Sequence, residues 1–202
     1  MFHILIGAPI TGILIALASV AAEQLLVVGA DIIFKTEITS DFYSNLGFFI
    51  VAAAIIEEIF KYFAVIRVIR QSFGLRRFKS ISAALICGLF FGLTETYYIL
   101  LANEKGILDI KNIGGEMHFS LLTVILTHIL TATLIAVLIA AREKKTGLGA
   151  LKVVIPASFI HILVNFLVIQ KGDYTNWLVE IVFGIVIVVI FSTIAFNLRR
   201  LD

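Results

Sequence analysis

Apolar positions along this chain fall into long runs rather than the short alternations or amphipathic stripes of a water-soluble fold. Six runs can be drawn, at roughly 3–30, 42–70, 80–102, 118–141, 149–170 and 175–198. A run of about 20 apolar residues spans the hydrocarbon core of a bilayer as a helix. Backbone groups in lipid must find their hydrogen bonds within the segment, which selects helices for such runs. The short alternating segments of a membrane barrel are absent. The expected fold is therefore all-α, a polytopic membrane protein of about six transmembrane helices. It forms a single domain over residues 1–202, because no interval between runs is long enough for a soluble one.

Composition sharpens this picture. The chain is 60% hydrophobic and only 15% charged, against about half and a quarter in soluble domains. Ala16–Ala22 resembles a signal-peptide cleavage site, but no Lys or Arg precedes it and the apolar run resumes at Leu25, so a retained first helix is expected. The lone cysteine, Cys87, lies inside an apolar run and reads as a packed thiol.

The linkers set an orientation. Arg67, Arg70, Arg76, Arg77, Lys79, Arg142, Lys144, Lys145, Lys152, Arg199 and Arg200 fall on one side, and only Lys35, Lys105, Lys111 and Lys171 on the other. The positive-inside rule places the eleven, with both termini, in the cytoplasm of a multi-pass protein of the cell membrane. Basic residues so distributed report on the bilayer, and no nucleic-acid partner is expected.

Several residues sit where apolar side chains are expected. Glu57, Glu58 and Lys61 lie near the middle of the second run, Glu95 in the third, His128 in the fourth, and His161 and Asn165 in the fifth. A charge near the bilayer midplane costs about 2.5–3.5 kcal/mol on insertion scales, so such residues are functional candidates. Placed at similar depth on four helices, they are expected to converge on one polar site inside the bundle. Glu57 and Lys61 share a face at i, i+4 and can pair. Glu58 lies about 100° around from Glu57, so the two carboxylates are not expected to meet one atom squarely. Ala84, Gly88, Gly92 and Glu95 share a side of the third run, where Gly88-x-x-x-Gly92 is a close-packing signature. Tyr98, three residues beyond Glu95, is a hydrogen-bond candidate for it. His161 and Asn165 again share a face.

These parts suit peptide hydrolysis. A buried carboxylate can serve as general base toward water, and imidazole and amide N–H groups can stabilise an oxyanion. No serine–base pair appears at midplane, and Cys87 has no evident histidine partner. Two histidines with two or three carboxylates can also bind zinc, although no HExxH motif is present. The expectation is direct attack by water with no cofactor, with a zinc-dependent version as the alternative. Proton-linked transport or channel activity also uses intramembrane acids and histidines, but neither internal symmetry nor broken helices support it.

In order along the chain stand Glu57-Glu58-Ile59-Phe60-Lys61-Tyr62, Phe91-Gly92-Leu93-Thr94-Glu95 followed by Tyr98, then His128, then His161-Ile162-Leu163-Val164-Asn165. This series over roughly 42–170 resembles the PrsW family of intramembrane proteases, and through it the larger group of CAAX prenyl proteases and bacteriocin-processing Abi proteins. The resemblance implies an intramembrane protease acting on a membrane-anchored protein or peptide, such as an anti-sigma factor, and the residues make a glutamic-type peptidase the expected form of it. A member that has lost catalysis and serves as a binding partner is a further alternative. By the resemblance Glu57 and Glu58 are the acid pair, and His161 with Asn165 stabilises the oxyanion. Lys61, Tyr62 and Tyr98 are expected to support the site. Glu95 stands where the prenyl proteases have a histidine, which leaves the partner of the first glutamate open between Glu95 and His128. Prenyl proteases favour EExxxR and FxxxH, and this chain has neither, which argues against a prenylated substrate.

The orientation can be checked directly. With Lys79→Cys and Asn112→Cys, an impermeant thiol reagent applied to intact cells should label position 112 and spare position 79. The reverse pattern would invert the topology.

Overall fold

The computed structural model describes residues 2–34, 42–71, 77–104, 117–141 and 149–169, with isolated positions between 181 and 195. Five helices account for the continuous stretches: α1 (Phe2–Phe34), α2 (Phe42–Gln71), α3 (Arg77–Glu104), α4 (Met117–Ala141) and α5 (Leu151–Ile169). All follow the apolar runs. Of the sixth expected span, positions 181, 184, 185, 187, 188, 191, 192 and 195 are helical, and the rest of it lies outside the described residues. The loop tips at 72–76, 105–116 and 142–148, on which the orientation rests, also lie outside them.

Among the described residues, three helical segments are long and apolar enough to cross a bilayer, Ile6–Ala30, Ile81–Leu101 and Leu121–Ala140, and α5 contributes the shorter apolar stretch Leu151–Leu167. The chain is a membrane protein. The 30-residue α2 is about 45 Å long at 1.5 Å per residue, more than a bilayer requires. Glu57, Glu58 and Lys61 exclude it from the purely apolar class. α2 is thus the helix that supplies most of the buried charge.

Its placement resolves the conflict. α2 packs against α1, α3, α4 and α5, and α3 with α4 forms the most extensive pair. Glu57, Glu58 and Lys61 are all buried. Large apolar side chains such as Leu14, Leu17, Leu25, Phe48, Phe63 and Phe159 point outward, as they should where lipid is the surrounding medium. α4 is the innermost span, with 61% of it buried against 11% for α1.

The interior between helices is made of small residues. One cluster joins Ala84, Ala132, Ala136 and Ala157 with Val65, Leu130, Ile135 and Val153 across α2, α3, α4 and α5. A second joins Ala8, Ala64, Val68, Ala83 and Cys87 across α1, α2 and α3. In a bilayer the gain from association comes from close van der Waals packing, because lipid tails are as apolar as leucine. Small side chains permit that approach. At Gly88 an added Cβ would stand 2.5 Å from the His128 carbonyl oxygen and 2.8 Å from the Ala132 Cβ. At Gly92 it would stand 2.8 Å from the Ile125 Cα and 3.3 Å from the His128 ring. The α3–α4 crossing therefore sets how near His128 comes to Glu95.

Gly88→Ala should lower thermal stability in detergent by the equivalent of about 1–3 kcal/mol, the usual cost of overpacking, since the obstacle is largely backbone. Gly7→Ala, where nothing lies within 4 Å, is the matched control and should melt as the parent does. Equal melting of both variants would show that the crossing is not tight.

Candidate functional site

Glu58 anchors the site. Its Oε1 accepts from Lys61 Nζ at 2.5 Å, one turn along α2, and from His161 Nδ1 of α5 at 2.8 Å. Lys61 also donates to Thr131 Oγ1 of α4 at 3.1 Å and lies 4.9 Å from the centre of the Phe91 ring of α3. One ammonium therefore ties a carboxylate, a hydroxyl and an aromatic face from three helices. The expected i, i+4 pairing of Lys61 with Glu57 is replaced by an i, i+3 pairing with Glu58, and Glu57 is left free to face elsewhere.

Glu57 turns toward the two histidines. Its Oε2 is 3.8 Å from His128 Nδ1 and 3.7 Å from His161 Nε2. Both distances exceed a hydrogen bond, and Glu57 Oε2 and His128 Nδ1 are buried without a hydrogen-bond partner. One donor atom from each of Glu57, His128 and His161 lies within 4.8 Å of the others. Of the outer ring nitrogens, His161 Nδ1 is hydrogen-bonded to Glu58 Oε1, and His128 Nε2 lies against Glu95 Oε2 without a hydrogen bond between them. The imidazole rings meet edge to face at 5.1 Å, and Phe91 packs on His128 at 4.6 Å. Each histidine thus has one nitrogen beside a carboxylate and the other facing Glu57 Oε2.

That arrangement fits a divalent ion. Ligands of a tetrahedral zinc at about 2.0–2.2 Å stand roughly 3.3–3.6 Å apart, close to the separations from Glu57. Carboxylates on the remote nitrogens of ligating histidines are the usual supporting groups of such sites. The expectation of no cofactor is accordingly not supported: Glu57, His128 and His161 form a possible metal site, and Glu57 Oε2 and His128 Nδ1 are buried there without a hydrogen-bond partner.

A cavity of about 130 Å³ opens beside the histidines, lined by Glu95, His128, His161 and Asn165 with Ile99, Thr123, Val124, Thr127 and Val164. This is room for several waters or a side chain. Glu95 borders the cavity and its side chain is 20% exposed, whereas Glu57 is 6% exposed and outside the lining. Among the three expected carboxylates, Glu95 is the one a water in the cavity would meet.

The structure brings Glu57, Glu58, Lys61, Glu95, His128, His161 and Asn165 into one neighbourhood, and it leaves two tyrosines aside. Tyr62 packs against the apolar cluster around Val65. Tyr98 is 37% exposed, beside the outward-facing Leu93 and Tyr97, and no hydrogen bond joins it to Glu95 among the described residues; helical spacing alone put it near. Two neighbours were missed, and the contact of Phe91 with Lys61 was not expected from the motif that Phe91 opens. Thr131 is an ordinary membrane residue with nothing in its type to mark it. Glu23 of α1 carried the same signal as the other acids, a carboxyl inside an apolar run. Its Oε1 is buried without a partner.

Residues 1–194 match a family model described as PrsW family intramembrane metalloprotease. No curated protein and no solved structure matches the chain.

Removing one partner of a buried ion pair leaves the other charge stranded. Lys61→Met should therefore destabilise the protein by about 3–5 kcal/mol, whereas Glu58→Leu combined with Lys61→Leu should cost much less than the two changes summed. Thermal and denaturant unfolding in detergent measure both. Additive losses would show that the pair is not coupled.

Proposed function

The chain belongs to the PrsW family of intramembrane proteases, and on that premise we propose that it hydrolyses peptide bonds of membrane-anchored proteins at a divalent-metal centre held by Glu57, His128 and His161. The observation that carries this reading is the inward convergence of one oxygen and two ring nitrogens, with Glu58 and Glu95 beside the outer ring nitrogens. A metal ion bound there would supply Lewis acidity toward the scissile carbonyl and toward water.

The remaining work falls to the side chains. Glu95, at the cavity edge, accepts a proton from the attacking water and returns one to the leaving amine. Asn165 donates its amide N–H to the carbonyl oxygen as negative charge develops, the role that the likeness to prenyl proteases assigns to it with His161. Glu58 holds the His161 ring through Nδ1, and Lys61 compensates the Glu58 charge. The apolar wall of Ile99, Val124 and Val164 suits an apolar substrate side chain. The substrate enters within the bilayer of the cell membrane, with both termini of the protease on the cytoplasmic side.

A second reading keeps Glu57 as the base and needs no metal. The 3.7–3.8 Å gaps from Glu57 Oε2 to the two rings also suit a bridging water. Here His161 and Asn165 serve the oxyanion and His128 the leaving group, the arrangement of a glutamic peptidase.

The two readings separate in one series, run on purified protein reconstituted with tagged single-span membrane proteins. In the metal reading Glu57→Gln and His128→Ala lose bound zinc and cleavage together. Glu95→Gln keeps zinc but loses cleavage, and Asn165→Ala falls about 10²–10³-fold in rate with zinc intact. Full activity in the stripped protein, with Glu57→Gln inactive and Glu95→Gln active, would establish the glutamate reading.

A further inference from the structure

The cavity beside the histidines lies where two helices stay apart. α3 and α5 both pack on α4, and the two are not closely packed on each other. All three helices line the gap, with α4 between the other two. Its residues follow one rule. On α3, Ile99 stands four residues from Glu95; on α4, Val124 stands four from His128; on α5, Val164 stands three from His161. Such spacings keep each pair on one helix face, about 5–6 Å apart along the axis. α3 and α4 run antiparallel, Gly88 meeting Ala132 and Gly92 meeting Ile125. Ile99 and Val124 therefore lie on the same side of the Glu95–His128 contact. The cavity thus has a polar end, made by Glu95, His128, His161 and Asn165, and an apolar end one turn away.

The apolar end is stiff. Ile99, Val124 and Val164 are joined there by Thr123 and Thr127, and all five are β-branched. In a helix such side chains have restricted χ1, with one strongly preferred rotamer for Val and Ile. Thr127 donates its hydroxyl to the Thr123 carbonyl at 2.7 Å, which holds its own rotamer as well. Walls of this kind do not turn aside for a larger group, so they select by size as well as by polarity. The size is small. The whole cavity holds about 130 Å³, less than the apolar cavity of about 150 Å³ that accepts a benzene ring, and part of it borders the polar end where a peptide bond must lie. A branched aliphatic side chain fits the remainder, and a phenyl or indole ring does not. A charged side chain would lose its hydration with no partner at that end.

We propose that this apolar end is the specificity pocket of the site, that it receives a leucine-sized aliphatic side chain flanking the scissile bond, and that Ile99, Val124 and Val164 set its size limit. The inference rests on the reading of the site as a peptidase and deepens it by naming the substrate residue. It holds whether a metal or Glu57 activates the water.

The test uses full-length protein in detergent and a single-span membrane substrate whose cleavage site has been located by mass spectrometry. The residue flanking the cut is changed in turn to Gly, Ala, Leu, Phe, Trp and Lys. Relative kcat/KM is taken within each preparation, so a partly unfolded variant still reports its preference. The parent should cleave the Leu substrate at least about 10-fold better than the Gly, Trp and Lys ones, the scale of a methylene in an apolar pocket. Val124→Ala and Ile99→Ala should move the optimum to Phe, and Val124→Phe should move it to Ala. Leu122→Ala, on the outer side of α4 where Leu122 is 53% exposed, should keep the parental order. Equilibrium binding of the same series, fluorescently labelled and read by thermophoresis, should follow the same orders. A parent that treats the six substrates alike, or a parental order retained in Val124→Ala, Ile99→Ala and Val124→Phe, would overturn the proposal. Binding preferences that shift as stated in a protein that cleaves none of the series would sink the peptidase reading and leave the pocket standing. Absence of both cleavage and binding preference would overturn the pocket too.

Discussion

The structure turns on a single oxygen atom. Glu58 Oε1 takes the Lys61 ammonium and the His161 ring N–H together, in a region where an unpaired charge would cost several kcal/mol. Every helix that joins this junction has its rotation about its own axis settled by it. α2 must turn Glu58 and Lys61 inward, α5 must bring His161 to the same point, and α4 must supply Thr131 to the remaining face of Lys61. Once Glu58 has absorbed the lysine, Glu57, about 100° around α2, is aimed at the histidines with no cation of its own. The adjacent pair of acids thus divides into one carboxylate bound to Lys61 and one turned toward the histidines.

Close packing does the rest. No hydrophobic force draws apolar helices together within lipid, so Gly88, Gly92, Ala132 and Ala136 bring α3 and α4 near enough to set Phe91 on the His128 ring and Glu95 against its Nε2. Phe91 serves both sides, since it also carries the Lys61 ammonium on its ring. Ala8 and Gly12 of α1 perform the same service at the other face of α3.

The outcome is a site with more acid than base. Among the described residues of the site, Glu57, Glu58 and Glu95 face one ammonium, Lys61, in a low-dielectric interior. A bound divalent cation or shared protons would balance that excess. The division between a closed inner face and an open outer one matters for the chemistry. Glu57 is sealed among ring nitrogens, while Glu95, His161 and Asn165 border the cavity through which water and a peptide bond would meet them. Preorganised groups of this kind act on developing charge without first having to reorganise.

Much of this was legible in the residues alone, for a plain reason. Lipid penalises charge so strongly that Glu57, Glu58, Lys61, Glu95, His128 and His161 announce themselves by type and depth, and apolar run lengths mark the helices α1 to α5 within a few residues. The order of the motifs likewise pointed to the family. What remained hidden depends on rotation and neighbours. Spacing allowed Lys61 to pair with Glu57 or Glu58, and only the position of α4 and α5 selected Glu58. Spacing also put Tyr98 beside Glu95, but the tilt and packing of α3 turn Tyr98 outward. Thr131 has no property that distinguishes it until Lys61 lies against it, and the motif that Phe91 opens does not show that the ring carries the ammonium. Glu23 bore the same mark as the other acids, and that its Oε1 is buried is decided only by the packing of α1. Depth in the bilayer is a one-dimensional property that the order of residues encodes directly. Which atoms converge at that depth follows from helix rotation and interhelical distance, and these exist only in the assembled bundle.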